Sequence, residues 1–146
     1  MQQAVPARTP AHLWIVGVLA ILWNCLGCYD YLMTNLKNQA YLAQFSAEEL
    51  AYFESLPAWL TGFWALGVWG GLAGGLLLLA RSRYAVWAFA VSLVGAVVTF
   101  GYQMFLTEMP PSMKQGANAV VPWAVIIVAA LLLWYAWSMQ KKGVLR

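Results

Sequence analysis

The sequence predicts an all-α membrane protein, a four-transmembrane-helix bundle with a short amphipathic helix on the outer surface between helices 1 and 2. Three observations carry that prediction. Of 146 residues, 63% are hydrophobic and only 9% charged, far below the near-quarter charged share of soluble domains. Four stretches, at 11–33, 58–80, 84–106 and 119–139, are apolar over the roughly 20 helical residues needed to cross a hydrocarbon layer of ~30 Å. The basic residues gather at the ends of these stretches rather than within them. Helices are the available solution, because an open sheet leaves unpaired backbone groups in lipid. The whole length, 1–146, reads as one integral membrane domain with no room for a soluble module.

The first span, 11–33, opens on a run from Leu13 to Leu26 that has the length of a secretory leader. No small-residue cleavage site follows it, and three further spans anchor the chain, so a retained helix is expected. Cys25 and Cys28 lie within it, three residues apart. Thiol activation needs a helix N-terminus or a cationic neighbour, and zinc needs more ligands, whereas the single His12 lies at the opposite end of the span. Both cysteines are therefore expected as buried small residues.

The connection from Thr34 to Pro57 carries Ser46 and Glu49 at capping-box spacing, with Phe45 and Leu50 as a hydrophobic staple. A helix over 47–55 follows. Leu50, Phe53 and Leu56 fall on one side and Glu48, Glu49 and Glu54 largely elsewhere, which predicts a helix lying on the outer membrane surface. The second span carries Gly67, Gly71 and Gly75 at spacing four, interleaved with Gly70 and Gly74. Small residues at this spacing let helix backbones approach in lipid, whether within the bundle or between two chains. Arg81-Ser82-Arg83 is a tight turn into the third span. Pro110, Pro111 and Gly116 mark an irregular loop, and Pro122 is expected in the first turn of the fourth span.

Orientation follows the distribution of Lys and Arg. Arg8, Arg81, Arg83, Lys141, Lys142 and Arg146 lie at one side and only Lys37 and Lys114 at the other, so both termini are expected in the cytoplasm. Trp14, Trp87 and Trp137 mark the inner aromatic belt, and Trp59 and Trp123 the outer. The net charge of +3 is dispersed, which argues against nucleic acid as a partner. The expected partners are the lipid bilayer and either a second copy of the chain or another membrane protein.

Candidate polar contacts are few. Gly17, Ala20, Asn24, Cys28 and Tyr31 form one small and polar stripe, and Ala88, Ser92, Gly95, Thr99 and Tyr102 another. Trp23, Asn24, Trp69 and Gly95 fall near the midplane, where Asn24 is expected to hydrogen-bond across to Ser92 or Thr99. Asp30 is the ionisable residue set inside a span, which by default suggests function; otherwise it caps the bundle through Tyr102, Gln103 or water. No nucleophile with a base and oxyanion donors can be assembled, and no phosphate-cradling loop is present. No catalytic residue, metal or cofactor is therefore expected.

Leu22-Trp23-Asn24 with Gly27, Asp30-Tyr31, Thr34, Asn38, Tyr41-Leu42 and Pro57-Ala58-Trp59 resembles a family of small four-span bacterial inner-membrane proteins. Its members are largely uncharacterised and are often catalogued under sugar transport. The resemblance implies an inner-membrane protein and assigns no site residue. Two functions are expected: a non-catalytic accessory subunit acting through helix packing, or a carrier of a small polar solute with Asn24, Asp30 and the midplane pair Trp23 and Trp69 in its site.

Overall fold

The computed structural model describes residues 8–146. It contains helices α1 (Ala11–Asn35), α2 (Gln39–Leu42), α3 (Ala47–Ser55), α4 (Ala58–Leu79), α5 (Tyr84–Leu106) and α6 (Ala117–Lys141), with a 3-10 turn at Pro111–Lys114 and no strand among the described residues. Helices α1, α4, α5 and α6 are long and apolar enough to span a membrane, so the chain is a multi-pass membrane protein. The span starts are set by local chemistry. Pro10 and Pro57 precede α1 and α4 in extended conformation, with φ −68° and −63°, the values the pyrrolidine ring enforces.

Three helix ends share one device. Lys37 (φ 54°), Arg81 (φ 58°) and Gly143 (φ 75°) adopt the left-handed conformation just past α1, α4 and α6. In each case the next amide reaches back to close the last turn: Asn38 to Met33, Ser82 to Leu77 and Val144 to Met139, at 2.9–3.0 Å. This is the Schellman arrangement, in which carbonyls left over at the helix end are satisfied locally. Two of the three carry a Cβ where glycine is favoured. The helix over 119–139 begins earlier than its sequence suggests, at Ala117, so Pro122 lies inside α6 rather than in its first turn.

The spans pack in sequence order, α1 on α4, α4 on α5 and α5 on α6. The glycines of α4 explain why it can sit between two neighbours. Gly71 and Gly75 face α1, where a Cβ on Gly71 would strike the Asn24 side chain and one on Gly75 would meet Ile21 Cγ1 at 2.9 Å. Gly67 and Gly70 face α5. There the contact is backbone to backbone: a Cβ on Gly95 would lie 2.5 Å from both the Gly67 nitrogen and the Phe63 carbonyl oxygen. The Ser92 hydroxyl donates to the Gly67 carbonyl at 2.6 Å, a polar contact of the kind that joins helices in lipid. The glycine stripe thus packs inside the chain.

Buried apolar side chains concentrate at the end that carries the termini. Leu13, Leu78, Ala85, Phe89, Ala136 and Met139 form a core there with Val144 and Leu145 from the last residues of the chain. The tail is held by backbone bonds from Arg146 N–H to the Arg81 carbonyl and from Arg83 N–H to the Arg146 carbonyl, both 2.9 Å. His12 on α1 and Tyr135 on α6 are hydrogen-bonded beside this core, with ring centroids 5.6 Å apart. The terminal end is therefore sealed.

At the loop end the structure departs from two expectations. Helix α3 covers that end, where Leu50, Phe53 and Leu56 line a cavity beneath it and Tyr52 is buried. The Ser46 hydroxyl accepts from Glu49 N–H at 3.1 Å, as the capping box requires, yet Glu49 Oε1 is engaged by Ser112 at 2.8 Å instead of reaching back. Of the two cysteines only Cys28 is buried and Cys25 is exposed. Three residues advance a helix by about 300°, from 3.6 residues per turn, enough to carry Cys25 off the stripe that packs on α4.

Candidate functional site

At the loop end of α1, Asp30 is half-buried. Its Oδ1 accepts from the Tyr41 hydroxyl and, at 3.5 Å, from Thr34 Oγ1. Tyr41 is placed there because Asn38 caps α2, accepting from Tyr41 N–H at 3.0 Å. Its ring is held edge-on by Tyr29 and Phe45, at 5.5 and 5.9 Å. Burial pushes the Tyr41 phenol up to about 12, and the hydrogen bond to Asp30 with the carboxylate's charge acts in the same direction. The tyrosine therefore stays a donor to Asp30 at neutral pH.

Helix α3 forms the roof. Thr107 Oγ1 donates to the Gln103 carbonyl at 2.6 Å and lies 2.7 Å from the Tyr52 hydroxyl. Because the threonine proton is committed to Gln103, Tyr52 is the donor to Thr107. Burial raises the Tyr52 phenol above its ordinary range. Together with Glu49 and Ser112, this contact ties α3 to α5 and to the loop before α6.

Below the roof is a vestibule of about 680 Å³ lined by Asp30, Thr34, Phe45, Phe53, Glu54, Trp64, Phe100 and Gln103, among others. Beside it lies a cleft of about 260 Å³ between the spans. Asp30, Trp64, Thr99, Phe100 and Val121 line both spaces. The floor of the cleft is α4 and α5, at Gly67, Val68, Gly95 and Ala96; its walls are α1, at Trp23, Asn24 and Leu26, and α6, at Val125, Val128 and Leu132. One lining group has an unmet bonding potential. Thr99 is 5% exposed and its hydroxyl has no hydrogen-bond partner among the described residues, a state that costs about 1–3 kcal/mol for a buried hydroxyl.

The sequence-predicted candidates divide accordingly. Trp23, Asn24, Asp30, Ser92 and Thr99 converge on this cavity. Trp69 does not line it: it is exposed on α4, with the Tyr31 ring 6.3 Å away. Asn24 does not bridge to Ser92 or Thr99, because α4 lies between α1 and α5. Its Nδ2 donates to the Ala20 carbonyl of its own helix at 2.8 Å, and its other edge fills the space left by Gly71. Asp30 is held by Tyr41 and Thr34 rather than by Tyr102, whose ring packs on Trp59 at 5.2 Å. Trp64 and Phe100 escaped the sequence reading because aromatic residues are common throughout these spans. Tyr41 had a signal, Asn38 three residues before it in cap position.

The arrangement offers one carboxylate at the junction, hydroxyl and amide groups nearby, and aromatic faces. No cluster of three or more His, Cys, Asp or Glu among the described residues is placed to hold a metal ion. Comparison with protein-family models, curated proteins and solved structures finds no match to this chain.

Proposed function

We propose that the protein is a non-catalytic membrane carrier that admits a small solute with a polar group into the vestibule around Asp30. The observation that supports this most directly is the adjacency of the vestibule and the inter-span cleft, which share Asp30, Trp64, Thr99, Phe100 and Val121 as lining residues. Six of eight basic residues lie at the terminal end, which supports a vestibule open to the outside of a bacterial inner membrane. The resemblance to a family catalogued under sugar transport supports carriage and leaves the solute class open.

An accessory-subunit role has one observation in its favour. Helix α6 is the least buried of the four spans and packs on α5 alone along its length, so a partner helix, from a second copy or another membrane protein, can lie against it.

Cysteine accessibility tests the carrier reading. In a Cys25→Ser, Cys28→Ser background, Thr61→Cys, a half-buried position lining the vestibule, in sealed, right-side-out vesicles should react with a small charged thiol reagent added outside, and Ala85→Cys, in the sealed core, should not. An inert Thr61→Cys in a folded protein would mean that the vestibule holds no water, and the accessory reading would replace the carrier.

A further inference from the structure

The cavity changes chemistry along its length, and that gradient specifies a ligand class. The vestibule presents two carboxylates, Asp30 and Glu54, against one cation, Lys37, and its walls include Phe45, Trp64 and Phe100. Both bonds to Asp30 fall on Oδ1, which leaves Oδ2 without a hydrogen bond among the described residues. A carboxylate beside aromatic faces suits an organic cation, because the ring quadrupole attracts positive charge and the carboxylate supplies the counter-ion.

The cleft below is apolar. Leu26 on α1 and Val125, Val128 and Leu132 on α6 face it, with Ser92 on the floor already bonded to Gly67 and Asn24 to Ala20. It opens sideways, because α1 and α6 do not pack along their lengths and are joined at the terminal end by His12 and Tyr135. From Val121 to Leu132 it runs about 16 Å along α6 at the helical rise of 1.5 Å per residue. That is close to half of the ~30 Å hydrocarbon layer, the depth of one leaflet.

We propose that the site takes a single-chain cationic amphiphile, its ammonium head between Asp30 and the aromatic walls and its hydrocarbon chain in the α1–α6 cleft. The assignment rests on the carrier reading and deepens it. A fully hydrated small solute leaves the apolar cleft unfilled, and a plain hydrocarbon leaves Asp30 unanswered. An amphiphile fills both and can enter from the side, without crossing the roof made by α3.

Titration of the full chain in a non-ionic detergent with a bulky head tests this, using dodecyltrimethylammonium, tetramethylammonium and dodecyl sulfate as probes. Dodecyltrimethylammonium should bind at least about tenfold more tightly than tetramethylammonium, since each buried methylene adds ~0.8 kcal/mol before competition from detergent. It should also exceed dodecyl sulfate, and Asp30→Asn should remove that charge preference. Val125→Trp, which fills the cleft, should abolish the gain from the chain while leaving tetramethylammonium binding unchanged. Equal binding of the cationic and anionic dodecyl probes to the wild-type protein overturns the cationic head, and needs no variant to be folded. Equal binding of dodecyltrimethylammonium and tetramethylammonium overturns the chain site. A reactive Thr61→Cys alongside either result shows that the vestibule stands and only the ligand class is wrong; an inert one removes both.

Discussion

Gly95 is the residue on which the packing of α4 against α5 turns, because the groups it faces are backbone. A Cβ there meets the Gly67 nitrogen and the Phe63 carbonyl oxygen at 2.5 Å, and neither can rotate away. Gly71 also has no room for a Cβ, but its obstacle is the Asn24 amide, a side chain that can move if it gives up its bond to Ala20. Gly62 and Gly101 face open space. These differences rank the substitutions. Gly95→Ala should destabilise the bundle most, at the upper part of the ~1–3 kcal/mol range for overpacking, Gly71→Ala less, and Gly62→Ala should be neutral or stabilising by up to ~1 kcal/mol through helix propensity. Thermal melts in one detergent measure the order. A Gly95→Ala protein as stable as wild type would mean that α4 and α5 stand further apart than described.

At the scale of elements, the caps after α4 and α6 and the tail they support form one unit. Gly143 turns the chain after α6 so that Val144 and Leu145, 3% and 4% exposed, enter the terminal core. Each contributes about 1.5–3 kcal/mol relative to exposure in water. Arg81 uses the same left-handed conformation after α4 but carries a Cβ, which costs about 1–2 kcal/mol. The two positions should therefore respond in opposite directions. Gly143→Ala should lower the melting temperature and speed amide exchange at Arg83 and Arg146, the donors of the tail's backbone bonds. Arg81→Gly should raise it, with the weak 3.4 Å bond from its side chain to the Val144 carbonyl as the offsetting loss. A decrease for both would place the tail's stability in the Arg81 side chain instead.

Across the whole molecule, the parts legible from sequence are those that lipid imposes on every residue. The span positions follow from apolar runs, and Ser46 and Pro57 mark the bounds of α3 because caps act locally. The inward faces of α1 and α5 followed from their small residues, and Gly17, Ala20, Asn24 and Cys28 are buried along with Ser92, Gly95 and Thr99. Which span stands between which others was not legible: the glycines of α4 serve two neighbours, and spacing alone does not divide them. The misplaced partner of Asn24 has that same cause, since it depends on what a neighbouring element leaves vacant.

Orientation in the membrane is also a property of the whole chain, set by the sum of its charges rather than by any contact. Arg8, Arg81, Arg83, Lys141, Lys142 and Arg146 belong to the sealed end, and Lys37 and Lys114 to the end roofed by α3. Retaining Lys and Arg near span ends on the cytoplasmic side is what sets topology, and acidic residues contribute little. The sealed end should therefore be cytoplasmic and the vestibule external. In the Cys25→Ser, Cys28→Ser background, Glu48→Cys on the exposed side of α3 and Arg83→Cys in the turn before α5 are both accessible to water. A membrane-impermeant maleimide added to intact cells should label the first and reach the second only after the membrane is permeabilised. Labelling of the Arg83→Cys protein alone in intact cells would invert the molecule, open the vestibule to the cytoplasm and reverse the direction from which its ligand enters.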